Sequence, residues 1–189
     1  MPSRRSLPHV SLTVRFAEVA DAPQIAAVHV RAWQEGYRGL LSDELLTGLS
    51  IEQRTQRWAT GLAATFSDDS AARVAELDGR SVGFATIVAP SRDEDAGEGV
   101  AELASLNVDP SAWRAGVGSA LITESFAALD PAKWPTVTLW VLEGNARAIA
   151  LYERFGFTFD GTRQLITDLG AAAIERGAAD LRMRRGSRA

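Results

Sequence analysis

Apolar and polar positions along this chain follow two rhythms. Alternation over 14–17 predicts an opening strand. Ile25, Val28 and Ala32 then recur at helical spacing and predict a helix over 23–36, with Asp21 as its N-cap. Ser42 opens a short second helix over 43–49, and 51–62 continues helically and carries Trp58. A loop at 67–70 leads to two β-rich runs, 72–77 and 81–88, around Asp78-Gly79, a strong hairpin signal. Residues 90–99 are polar, acidic and glycine-bearing and read as a mobile loop. A strand over 100–108 follows, then a helix over 116–129 with Val117, Leu121, Ile122 and Phe126 as its buried stripe. A strand over 135–142, a helix over 145–155, a strand start at 157–162 and a last strand over 180–184 complete the order β-αα-βββ-α-β-α-ββ. That order mixes an antiparallel hairpin region with a β-α-β crossover. The sheet is therefore expected to be mixed, and the class α/β or α+β.

No repeat or linker divides the chain, and 189 residues suit one well-cored domain, expected over 12–185. Residues 1–11 read as a flexible N-terminal tail and 186–189 as a C-terminal tail. No apolar run approaches the roughly 18 residues of a membrane helix. Arg4 and Arg5 are followed by no apolar segment, so the N-terminus does not read as a secretory signal. A cytoplasmic protein without a membrane partner is expected. The absence of cysteine excludes disulfides, thiolate metal sites and a cysteine nucleophile. With only His9 and His29, neither a histidine metal site nor a Ser-His-Asp triad is expected, and no metal is implied. His29 borders the buried stripe of the first helix and reads as a core-edge residue. A net charge of -4 argues against nucleic acid as the main partner.

The candidate chemistry gathers between residues 102 and 157. The strand over 100–108 runs through Asp109-Pro110 into Trp113-Arg114-Ala115-Gly116-Val117-Gly118, where a helix begins. The first turn of a helix presents unpaired N–H donors and the positive end of its dipole. Gly116 and Gly118 let a phosphate approach that backbone, and Arg114 adds charge. A dinucleotide fingerprint would need a third glycine where Leu121 stands, although Glu143 ends the next strand as a ribose-binding acid would. A Walker loop is excluded, because the chain's one lysine, Lys133, is far from any such loop. Further on, Asn145, Ala148, Tyr152 and Phe155 share one helix face. A phenol with a pKa near 10 stays protonated at neutral pH and can donate its proton.

The glycine loop together with Asn145-x-x-Ala148-x-x-x-Tyr152-x-x-x-Gly156-Phe157 resembles the GCN5-related N-acetyltransferase (GNAT) superfamily. The resemblance spans about 14–185. It implies a three-layer fold: a mixed central sheet of about seven strands with helices on both faces. It also implies a transferase moving the acetyl group of acetyl-CoA to a primary amine, on a small molecule, peptide or protein, by direct attack in a ternary complex. On it, the backbone cradle of Arg114, Ala115, Gly116, Val117, Gly118 and Ser119 would hold the coenzyme A diphosphate. Trp113 stands where the family usually has Gln or Arg. Leu106, Asn107 and Val108, on a strand splayed from its parallel neighbour and commonly bulged, would pair with the pantetheine arm and supply an oxyanion donor. Tyr152 would act as general acid and Glu102, through water, as general base. Asn145 and Ala148 would contact the cofactor. Trp33, Tyr37 and Trp140 would line the acceptor site. A monomer or homodimer is expected. Other readings stay open at this level: an acyl-CoA-binding domain without turnover, transfer of a longer acyl group, and the dinucleotide site.

Overall fold

The computed structural model describes residues 11–64, 69–166 and 177–186. Residues 1–10 of the expected N-terminal tail, 67–68 of the expected loop and 187–189 lie outside that range. The elements in chain order are β1 (Leu12–Phe16), α1 (Ala22–Gly36), α2 (Asp43–Thr47), α3 (Ile51–Ala63), β2 (Ala71–Leu77), β3 (Arg80–Val88), β4 (Val100–Val108), α4 (Val117–Ala127), β5 (Thr136–Leu142), α5 (Ala146–Arg154), β6 (Thr158–Leu165) and β7 (Ala179–Gly186). Seven strands form one sheet in the order β1-β2-β3-β4-β5-β7-β6. Neighbours are antiparallel except β4 and β5, which are parallel. This is the mixed sheet the sequence predicts.

Local chemistry accounts for most boundaries. The Ser42 hydroxyl accepts the Leu45 N–H and the Ser50 hydroxyl accepts that of Gln53. Two N-cap serines thus start two separate helices, so the expected second helix divides into α2 and α3. Asp78 and Gly79 take φ of 50° and 75°, the left-handed pair that a tight hairpin between β2 and β3 requires. Asp21 occupies the N-cap position of α1 without capping it. Its carboxylate instead binds the Arg15 guanidinium at 2.7 Å and the Glu18 N–H at 2.8 Å.

Strand alternation sorts the core into two layers. Val74 and Phe84 pack against Ile25, Val28, Trp58 and Leu62 of α1 and α3. Their neighbours Ala75 and Ala85 face the opposite side, with Val117, Leu121 and Ile122 of α4 and Tyr152 of α5. Helices therefore cover both faces. The 90–99 loop, expected to be mobile, is tied down by ion pairs and an indole hydrogen bond: Arg92 with Glu102, Asp93 with the Trp140 indole N–H, and Asp95 with Arg182. Among the described residues, no helix is long and apolar enough to cross a membrane.

The seating of α4 depends on Gly83 of β3. A Cβ there would lie 2.9 Å from Val117 Cγ1, 3.1 Å from Leu121 Cδ1 and 3.2 Å from the Asn107 carbonyl oxygen. Gly83→Ala is expected to lower unfolding free energy by about 1–3 kcal/mol through overpacking. Urea denaturation measures this, and an unchanged midpoint would show that α4 rides freely over the sheet.

Candidate active site

β4 and β5 stay paired over only three positions, Val100 with Thr136, Ala101 with Val137 and Glu102 with Thr138. Beyond them the strands part. The β3–β4 register also shifts, since Thr86 opposes Ser105 while Ile87 opposes Leu103, leaving Ala104 as a bulge. Past the bulge the strand's period of two decides which backbone groups open into the gap. The Asp109 N–H donates to the Val82 carbonyl on the β3 side. Asn107 therefore turns its backbone to β3, and Leu106 and Val108 turn theirs into the gap. A cleft of about 990 Å³ opens there, lined by Leu106, Asn107 and Val108.

The loop after β4 forms one wall. Asp109 anchors it: one carboxylate oxygen accepts the Ser111 N–H and hydroxyl at 2.9 and 2.6 Å, and the other binds Arg31 of α1. The Trp113 indole N–H donates to the Val108 carbonyl at 2.9 Å, closing the loop onto the strand end. Arg114 and Gly116 both adopt left-handed φ, 66° and 82°. That backbone path delivers α4 with Gly116 at its N-cap and no side-chain hydrogen bond capping its first turn. The N–H groups of Val117, Gly118 and Ser119 have no acceptor within the helix. A Cβ on Gly118 would stand 3.0 Å from Leu151 Cδ2, so glycine also lets α4 approach α5. Arg114, Gly116, Val117, Gly118 and Ser119 all line the cleft.

Helix α5 forms the other wall. Asn145 caps it, its side-chain oxygen accepting the Ala148 N–H at 3.3 Å. Asn145, Ala148 and Tyr152 line the cleft, as does Tyr37 at the end of α1. Tyr152 is 7% exposed. Burial, then the neighbouring Tyr37, push its pKa well above the usual phenol value. Burial, with the Asp180 charge acting against that of Arg54, pushes Tyr37 up to about 12. Both phenols are protonated at neutral pH.

Four residues expected in the site do not line this cleft. Glu102 is not on the cleft. It sits where β4 and β5 are still joined, and Arg92 holds both its oxygens, at 2.6 and 2.9 Å, with the Arg92 N–H at 3.2 Å. Trp140 lies two residues past the last β4–β5 pair, and its indole N–H donates to Asp93 at 2.8 Å beside Arg182. Trp33 packs behind Tyr37, ring centres 5.0 Å apart, rather than on the cleft surface. Ala115 turns its N–H to the Ala112 carbonyl at 3.3 Å and is absent from the lining.

The family description "Acetyltransferase (GNAT) family" matches residues 25–157. The chain belongs to the GNAT acetyltransferase family. The mycothiol acetyltransferase of Acidimicrobium ferrooxidans is 39% identical over 88 residues, 46% of this chain and 27% of that protein. The chain thus spans about a quarter of that curated relative's length. The solved ribosomal-protein-alanine N-acetyltransferase of Brucella melitensis superposes with a TM-score of 0.67 at 26% identity, covering 92% of this chain and 99% of that one. The PaiA N-acetyltransferase of Thermoplasma acidophilum, solved in complex with coenzyme A, shares the fold with a TM-score of 0.68 at 18% identity, covering 93% and 99%.

Within this GNAT chain, sequence reasoning missed Gly36, Ala112, Trp113, Arg147 and Arg154 as cleft-lining residues. Trp113 was visible only as a departure from the family motif. Arg147 carried one unread signal, a cation in the first turn of a helix, where the dipole disfavours it.

The aromatic layer behind Tyr37 runs through Trp33 to His29 and Trp58. His29 accepts the Trp58 indole N–H on Nδ1 at 3.2 Å. Burial, then the Arg54 charge, lowers its pKa to about 3. Between that value and an unfolded pKa of about 6.5 the unfolded chain takes up a proton that the native state refuses. The His29 contribution to stability is therefore constant above pH 7 and falls as pH drops below about 6.5, by at most about 1.4 kcal/mol per pH unit. Subtracting the stability of His29→Gln from that of the parent protein in urea melts should isolate this slope; a flat difference down to pH 4 would mean the native imidazole protonates freely.

Proposed function

We propose that this protein transfers the acetyl group of acetyl-CoA to a primary amine by direct attack within a ternary complex. The observation that carries the reading is the parting of β4 and β5, which turns the Leu106 and Val108 backbone into a cleft between the bare first turn of α4 and the Tyr152 phenol. Such a cleft suits a long ligand with an amide-bearing arm and a phosphate end. The Leu106 carbonyl and N–H pair with the arm as a further strand would. The Val117, Gly118 and Ser119 N–H groups take the diphosphate, with the α4 dipole adding attraction. The same fit supports the coenzyme A that the PaiA neighbour holds.

Chemistry follows from these positions. The amine nitrogen adds its lone pair to the thioester carbonyl carbon, and the Leu106 or Val108 N–H stabilises the oxyanion. Donors of this kind contribute about 3 kcal/mol in hydrolytic enzymes. As the C–S bond breaks, Tyr152 gives its proton to the departing thiolate and recovers one from solvent. Its raised pKa keeps that proton available. Among the described residues no carboxylate lines the cleft, so the nitrogen sheds its proton to water rather than to Glu102.

The relatives' names, a mycothiol acetyltransferase and a ribosomal-protein-alanine N-acetyltransferase, span small-molecule and protein chemistry and set the range to test. A screen of amine acceptors that follows free thiol from acetyl-CoA decides the function; tight coenzyme A binding with no thiol release from any amine would leave a binding domain instead. With an acceptor in hand, Tyr152→Phe should lower kcat by about 100-fold while coenzyme A affinity is retained. Full turnover in that variant removes the acid assignment. Glu102→Gln should change kcat by less than about threefold, because its carboxylate is spent on Arg92. A loss as large as that of Tyr152→Phe would return Glu102 to the chemistry.

A further inference from the structure

The cleft carries more positive charge than the diphosphate reading uses. Arg114, Arg147 and Arg154 line it, and no Asp or Glu does so among the described residues. No carboxylate there forms an ion pair with any of the three. The acid whose charge reaches Arg147, Glu35, is itself bonded to Arg38 at 2.7 Å. Arg147 is also poorly placed by its own helix, being the second residue of α5, where the dipole repels a cation. Burial lowers its pKa, Glu35 opposes this, and the neighbouring Arg114 adds to the lowering. Left alone, a long exposed arginine in that position would swing away into water.

It does not swing away. The Arg147 guanidinium carbon lies 3.2 Å from the centre of the Trp113 ring. The ring is fixed in turn by its N–H bond to the Val108 carbonyl. Stacking on an indole face attracts a guanidinium while leaving its N–H donors at the rim free for an anion. Trp113 stands where the family usually has a side chain able to donate to phosphate. In this chain that position supplies a shelf, and the cation comes across the cleft from α5.

We infer that Arg147, shelved on Trp113 and backed by Arg114, forms a second phosphate locus for the 3′-phosphate of the coenzyme A ADP portion, separate from the diphosphate cradle at α4. Charge balance favours that occupant. A diphosphate brings two negative charges to a cradle that already offers backbone donors and a helix dipole. A phosphate monoester adds about 1.5 to 2 more negative charges at neutral pH, which the remaining guanidinium groups match. The inference rests on the acyl-CoA reading above and adds to it a chemical discrimination, that between coenzyme A and its 3′-dephospho form.

Calorimetric titration of the whole chain with coenzyme A and with 3′-dephospho-coenzyme A tests it. The parent protein should bind coenzyme A roughly 10- to 100-fold more tightly, the range of charge-assisted hydrogen bonds. Arg147→Ala should lower coenzyme A affinity to near that of the dephospho form and leave dephospho binding within about twofold. Arg147→Lys should recover only part, because an ammonium cannot offer the planar fork. Trp113→Leu should narrow the same discrimination, with far-UV circular dichroism and the melting temperature checking that the loop is intact. Equal binding of the two ligands by the parent protein, or an equal loss for both in Arg147→Ala, overturns the 3′-phosphate assignment while leaving the acyl-CoA reading in place. Binding of neither ligand overturns both.

Discussion

One constraint organises this molecule: β4 and β5 run parallel, pair for three residues and then separate. Exposed strand edges inside a folded protein are costly, because their N–H and C=O groups go unpaired. Here the edge is held open on both sides. The Ala104 bulge bends β4 away from β5, and β5 is fully engaged with β7 over Thr136–Leu142. The tight meeting of α4 with β3 at Gly83 and with α5 at Gly118 then wedges two helices against the diverging strands. The backbone of Leu106 and the N–H of Val108, turned into the gap, are the feature on which the proposed binding and oxyanion stabilisation both rest.

The end of the cleft at the α4 N-terminus is held by interactions distant in sequence. Arg31 of α1 binds Asp109, which shapes the turn after β4, and Trp113 closes that turn on Val108. Helix α1 therefore sets the position of a loop nearly eighty residues further on while its own last turn brings Tyr37 to the opposite end of the cleft. Both the turn after β4 and Tyr37 are thus referred to one helix.

The sheet around Glu102, where β5 is flanked by β7, has a different character. Glu102, Thr138, Trp140 and Arg182 face a loop that carries Arg92, Asp93 and Asp95, and the charges there are mutually satisfied. A guanidinium with 10% side-chain exposure surrounded by Asp93, Asp95 and Asp160 is fully compensated, which distinguishes it from Arg147. Paired charges here fasten a loop to the sheet, whereas Arg147 in the cleft rests on an indole ring with no carboxylate partner.

What the sequence determined by itself was local. Asp78-Gly79 dictated a hairpin, Ser42 and Ser50 each began a helix, Asn145 capped α5 and the Gly116-x-Gly118 spacing left a helix start bare, because each effect depends on residue type within a few positions. Two linked motifs were long enough to indicate the family, and with it a mixed sheet of about seven strands. Tertiary structure alone decided that Glu102 is spent on Arg92, that Trp140 holds Asp93 instead of facing the cleft, and that Arg147 lies on Trp113. These are pairings between side chains 10 to 47 residues apart, fixed by where the strands stop being joined. Spacing along the chain carries no information about that point, since a residue two positions earlier or later on the same strand has the same pattern and a different partner.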